Sequence, residues 1–153
     1  MAPVRRATEQ DRPELESLHK AYLEALTAHG LEVTAHDLEE AWFTDTERLF
    51  PLVLSEEVGL AGYMLVFGPE YSRAMGFEVD SYVHELFVRE DLRGRGRAGE
   101  LLDHALGERP GTWAVEVLEA NGPASRFWSR ALAGRAGLRD EVRGEFRVYW
   151  FES

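Results

Sequence analysis

Cysteine is absent from this 153-residue chain. Disulfides, thiolate nucleophiles and cysteine-bound zinc are excluded with it. Lysine is nearly absent: Lys20 stands alone, and 16 of the 17 cations are arginine. Cations are scarce overall, 17 against 28 Asp and Glu, which leaves a formal net charge of -11. A balance of that sign disfavours nucleic acid or an anionic membrane as partner of the whole surface. Long apolar runs are missing too. The longest apolar-rich stretch, Val58 to Gly68, falls short of the roughly 20 residues needed to cross a bilayer. The start, Met1 to Arg6, lacks the apolar core of a signal peptide. Together these absences predict a soluble, cytoplasmic protein.

What is present reads as globular: 44% hydrophobic residues leave ample material for a core, and no repeat or low-complexity linker divides the chain. A single domain over residues 1–153 is expected. A short extended piece, Pro3 to Ala7, precedes a helix over 12–28, where Leu15, Leu18, Tyr22 and Leu26 keep helical spacing. A second, acidic helix fits 35–47, with Leu38, Ala41 and Trp42 on one side. Phe50 to Leu54 and Leu60 to Phe67 have hairpin spacing, and 69–79 reads as a loop. Tyr82 to Val88 ends in three consecutive apolar residues, which implies a strand covered on both faces. A helix over 96–107, a strand from Trp113 to Val117, a helix from Asn121 to Ala133, and a pair of strands (Leu138 to Val142 and Glu145 to Phe151) follow. The order predicts a mixed α/β sheet with helices on both faces.

The sharpest motif is Arg93-Gly94-Arg95-Gly96-Arg97-Ala98, between a buried strand and a helix. A helix start offers unpaired N–H groups and the positive end of the dipole. Glycines allow close backbone approach, and arginines at 89, 93, 95 and 97 add charge. A pyrophosphate suits all of these features; an ordinary turn with solvated arginines accounts for the same residues. A Walker loop is excluded, since no Lys followed by Ser or Thr is present. Gly94, Gly96 and Gly99 spell G-x-G-x-x-G, but the preceding strand lies mid-chain behind a hairpin rather than opening a βαβ unit.

The stretch Leu86 to Leu102, with Arg93, Gly96 and Ala98 at fixed positions, resembles the signature Arg/Gln-x-x-Gly-x-Gly/Ala of the GNAT superfamily of acyl-CoA-dependent N-acyltransferases. Asn121, Ala124, Phe127 and Trp128 resemble that family's last motif, Asn-x-x-Ala-x-x-Phe-Tyr, and the opening residues Val4 to Thr8 resemble its first strand. The resemblance spans essentially the whole chain. It implies a mostly antiparallel central sheet with one splayed parallel pair. It also implies acetyl-CoA as cosubstrate and direct attack by an amine on the thioester. Backbone groups at Leu86, Phe87 and Val88 would pair with the pantetheine arm and polarise the thioester carbonyl. Arg93, Gly94, Arg95, Gly96, Arg97 and Ala98 would hold the pyrophosphate, and Asn121, Ala124 and Trp128 would line the other side. Two positions depart from the pattern. Trp128 replaces the Tyr that often acts as acid, and an indole N–H is not a useful proton source. Arg97 replaces an aliphatic residue.

The resemblance also implies a general base on the strand before the loop, which offers His84 and Glu85, with Tyr82 as a more distant choice. Strand alternation places His84 and Glu85 on opposite faces. Glu85 has the chemistry of a base, and His84 titrates near neutrality unaided. Structural pairing within the sheet explains either residue equally. No spacing suggests a metal site. Acid gathers at Glu32, Asp37, Glu39, Glu40, Asp45, Glu47, Glu56 and Glu57. It reads either as a wall for a cationic amine (a polyamine, an aminoglycoside, a Lys side chain or an N-terminus) or as a solvated helix face. Two other readings compete with the enzyme: a CoA-binding regulatory module without turnover, prompted by Trp128, and an RNA-phosphate patch at 89–97, opposed by the net charge. The apolar carboxyl-terminal strand, with Phe146, Val148 and Trp150 on one face, suggests a homodimer edge.

Overall fold

The computed structural model describes residues 3–33, 38–57 and 59–153. Strand β1 (Val4–Arg6) leads through a tight turn at Glu9–Asp11 into helix α1 (Arg12–Ala28). The one-turn helix α2 (Ala41–Thr44) precedes the hairpin of β2 (Leu49–Glu56) and β3 (Gly59–Phe67). Then come α3 (Pro69–Ala74), β4 (Ser81–Val88), α4 (Arg97–Glu108), β5 (Thr112–Leu118), α5 (Gly122–Leu132), β6 (Arg139–Arg143) and β7 (Phe146–Glu152). Among the described residues, seven strands form one sheet in the order β1-β2-β3-β4-β5-β7-β6. Only β4 and β5 run parallel; the other neighbours are antiparallel. This is the predicted mixed α/β architecture.

Each face of the sheet carries its own core. Leu101, Leu102 and Leu106 of α4 and Trp128 and Leu132 of α5 pack on Met64, Val66, Val83 and Trp113. Leu15 and Leu18 of α1, with Leu38 and Trp42, pack on Val53, Tyr63, Leu65 and Phe87. Consecutive apolar residues in β4 serve both: Phe87 faces α1, whereas Leu86 and Val88 face α4 and α5. At the start of α1, Arg5 grips Asp11 with two hydrogen bonds of 2.8 Å, and Asp11 Oδ2 also accepts the Thr8 N–H. Glu14 reaches from α1 to accept the Leu60 N–H at 2.8 Å, which ties the helix to β3.

Three elements differ from expectation. The acidic helix expected over 35–47 is a single turn at Ala41–Thr44, and residues 35–37 of that expectation lie outside the described residues. Asp45 caps the end of the turn, and its carboxylate accepts the Tyr71 hydroxyl at 2.9 Å and pairs with Arg48. The expected loop over 69–79 contains α3, started by Pro69 at its first position and closed near Gly76, whose φ is +93°. The carboxyl-terminal strand β7 is not an edge: it lies between β5 and β6. The edge strand on that side of the sheet is β6, whose residues are all exposed and mostly charged, a composition that discourages strand addition.

Candidate active site

The site begins where the sheet opens. The parallel pairing of β4 with β5 covers only Ser81 with Trp113, Tyr82 with Ala114 and Val83 with Val115. Beyond Val83, β4 pairs with β3 alone, and β5 pairs with β7 alone. The Arg89 N–H donates to the Ala61 carbonyl, and bonding alternates along an antiparallel ladder. Phe87 and Glu85 therefore bond toward β3, while the N–H and C=O groups of Leu86 and Val88 point into the gap. Of these, the Val88 carbonyl is already taken by Arg93 Nε at 3.0 Å. Hence Phe87 contributes its ring to the gap rather than its backbone. Gly62 makes this close approach possible: a Cβ there would lie 2.5 Å from the Phe87 carbonyl oxygen.

A cavity of about 550 Å³ fills the gap and passes from one face of the sheet to the other. Leu86, Phe87 and Val88 line it from β4, and Arg93, Gly94, Gly96, Arg97 and Ala98 from the loop and α4. Asn121, Ala124 and Trp128 line it from α5. Of the residues expected at a CoA site, Arg95 alone stands apart, exposed and outside the lining. Gly94 and Gly96 take φ values of +80° and +75°, a left-handed conformation that suits glycine. The turn leaves the N–H groups of residues 94–99, which lead into α4, without a hydrogen-bond acceptor among the described residues. Successive free N–H groups at a helix start form an anion nest.

The arginines divide into separate roles. Arg93 folds back, with its guanidinium 5.2 Å from the centre of the Phe87 ring, and braces the end of β4. Arg97 pairs with Glu56 of β2 and with Glu100 at 2.7 Å, so its side chain is committed within the fold. Arg89 pairs with Asp91. Two arginines that the sequence reading passed over, Arg126 and Arg130 of α5, line the cavity without an ion pair among the described residues. Their i, i+4 spacing on the helix that starts at Asn121 was the available signal. Asn121 itself caps α5, its Oδ1 accepting the Ala124 N–H at 3.2 Å.

On the α1 face lies a buried carboxylate. Leu65 pairs with Glu85 but Val66 pairs with Val83, so His84 is an extra residue in a β-bulge. The bulge overturns the alternation expected of His84 and Glu85: both side chains point toward α1. His84 stacks on Phe67, ring centres 4.3 Å apart, and its Nε2 lies 3.7 Å from Glu85 Oε2. Tyr63 donates to Glu85 Oε1 at 2.7 Å, and His19 Nε2 of α1 lies 3.5 Å from the same oxygen. Tyr82, the distant choice, donates to Glu116 at 2.8 Å. Burial, and then the charge of Glu116, push the Tyr82 phenol well above its ordinary range. The acidic residues between Glu32 and Glu57 divide among several settings. Glu40 pairs with Arg12, Asp45 with Arg48 and Glu56 with Arg97; Glu32, Glu39, Glu47 and Glu57 are exposed, and Asp37 lies outside the described residues.

Residues 14–133 match the family described as Acetyltransferase (GNAT) family. The chain belongs to the GNAT family. Family membership supports acetyl-CoA-dependent acyl transfer as the general activity. No curated protein matches the chain. Among solved structures, an acetyltransferase from Thermus thermophilus is 19% identical, with a TM-score of 0.71 over 98% of this chain and 96% of that one. Arabidopsis thaliana NAA60, solved with a bisubstrate analogue, is 18% identical, with a TM-score of 0.64 over 98% and 95%. The PaiA N-acetyltransferase of Thermoplasma acidophilum, solved with coenzyme A, is 10% identical, with a TM-score of 0.67 over 98% of both chains. These likenesses concern the fold. The GNAT chain's own residues fit the cosubstrate: free N–H groups suit a pyrophosphate, Arg126 and Arg130 suit further phosphate, and the open edge of β4 suits an amide-bearing arm. Among the described residues, no cluster of three or more His, Asp or Glu side chains could hold a metal ion, and no helix is long and apolar enough to cross a membrane.

Proposed function

We propose that this GNAT chain transfers the acetyl group of acetyl-CoA to a primary amine, by direct attack within a ternary complex. The observation that carries this reading is the through-sheet cleft. It offers a phosphate nest and an unpaired strand edge, and the buried Glu85 carboxylate, outside the lining itself, lies one residue along β4 from Leu86. The nest at 94–98 binds the pyrophosphate. The free groups of Leu86 and Val88 bond the arm, and the Val88 N–H is a fixed donor for oxygen charge near the thioester. Glu85 accepts the proton that the amine sheds, directly or through a water, with Tyr63 and His84 setting its orientation. In the transfer a C–N bond forms, the C–S bond breaks and the electron pair leaves on sulfur. No protein nucleophile is required.

Thiol release over a panel of polyamines, aminoglycosides, lysine peptides and free N-termini tests this. Glu85→Gln is expected to lower kcat on the best acceptor by about 100-fold, the scale of general base catalysis. Normal turnover in Glu85→Gln across pH removes Glu85 as base. Tight acetyl-CoA binding with no turnover on any amine favours the CoA-binding module. Arg93→Ala and Gly96→Asp are each expected to weaken acetyl-CoA binding, and unchanged affinity in both would falsify the placement of the site.

A further inference from the structure

We propose that Tyr22 of α1, rather than Trp128 of α5, donates the hydrogen bond that receives the negative charge developing on the thioester sulfur. The inference rests on the acyl transfer proposed above. Tyr22 and Trp128 line the same cavity, Tyr22 from the α1 face and Trp128 from the α5 face. Three rings fix the Tyr22 side chain. It meets Phe87 and Tyr63 edge-on at 6.2 and 6.3 Å, and stacks with His19 at 6.4 Å. Among the described residues its hydroxyl has no hydrogen-bond partner. The Tyr63, Tyr71 and Tyr82 hydroxyls, by contrast, are each bound to a carboxylate, at Glu85, Asp45 and Glu116. An O–H held at the wall of a cleft without a partner is a donor left for the ligand.

The surroundings also fix its protonation. Burial, then the charge of Glu85, raise the Tyr22 phenol well above its ordinary range. A thiol has a pKa of ~8.5, so the proton stays on oxygen. Tyr22 acts as a hydrogen-bond donor and gives up no proton. As the C–S bond breaks, the electron pair settles on sulfur, and the thiolate leaves bound to the Tyr22 O–H. Water protonates it on release. Trp128 is 5% exposed and packs edge-on against Phe127 at 5.2 Å; its indole N–H also has no hydrogen-bond partner among the described residues, so titration of the bound thiol tells the two donors apart.

The experiment titrates the thiol of bound CoA by its ultraviolet thiolate absorbance, with the complex of dethio-CoA as blank. It compares the wild-type chain, Tyr22→Phe and Trp128→Phe. In the wild type and in Trp128→Phe the bound thiol is expected to titrate below the value of free CoA. In Tyr22→Phe it is expected to move back up by about one unit. CoA affinity at a pH where the thiol is neutral, and the melting temperature, are expected to be unchanged in Tyr22→Phe, since the lost hydroxyl had no partner. Equal titration in the wild type and Tyr22→Phe overturns the inference alone. So does a shift lost in Trp128→Phe and kept in Tyr22→Phe. Failure of the wild-type chain to bind CoA overturns both this inference and the proposed function.

Discussion

Glu85 is 7% exposed, and each of its oxygens has a neighbour: Tyr63 and His19 at Oε1, His84 at Oε2. The Tyr63 bond is the shortest of these and joins a buried hydroxyl to a carboxylate. Tyr63→Phe is expected to cost about 1.5–3 kcal/mol of stability in urea denaturation, and to lower kcat by loosening Glu85. At the far end of α1, Arg5 and then the Thr8 N–H hold the Asp11 carboxyl below its ordinary value. Such a group stabilises the fold above its unfolded pKa, and its contribution is lost as pH falls through the lower folded value. Asp11→Asn is therefore expected to melt below the wild type at neutral pH, with the gap closing under acid conditions, below the ordinary Asp value of ~3.9. A gap that does not narrow as the pH falls below the ordinary Asp value would contradict this assignment. Of the site's residues, Glu85 was legible in sequence because an acid on the strand before an anion loop stands out. Tyr63 and His19 were not, because one sits in an unbroken apolar strand and the other beside the apolar stripe of α1.

At the level of elements, helical and strand periodicity located α1, α4, β5 and α5 within a residue or two, since each buries a continuous stripe. The motif at 93–98 was legible as an anion loop because glycine and helix onset coincide there. Two features were hidden. The bulge at His84 leaves no compositional mark, so alternation put His84 and Glu85 on opposite faces. The contact at the end of α2, where Tyr71 donates to Asp45 from 26 residues away, leaves no local mark either. Close strand approach gives a direct test. Gly62→Ala places a methyl group 2.5 Å from the Phe87 carbonyl oxygen. It is expected to cost about 1–3 kcal/mol, measured by chemical denaturation, and to weaken acetyl-CoA binding by displacing the open edge of β4.

The whole molecule is divided by its cleft: α1 walls one side, α4 and α5 the other, and β4 and β5 part between them. A ligand in the cleft touches both cores at once and binds only the folded chain. At 100 times its Kd, acetyl-CoA is expected to add about 2.7 kcal/mol of stability, which for a chain of this size raises Tm by roughly 5–10 °C. Differential scanning fluorimetry reads this directly, and an unmoved Tm at saturating acetyl-CoA would count against the cleft as the binding site. The open edge of β4 has a consequence at single amides. Phe87 donates to β3 whether or not the cleft is filled, whereas the Leu86 and Val88 amides meet only water. In deuterium oxide, Phe87 should stay protected from exchange throughout. Leu86 and Val88 should exchange fast in the free chain and slow sharply once acetyl-CoA takes the place of the missing strand.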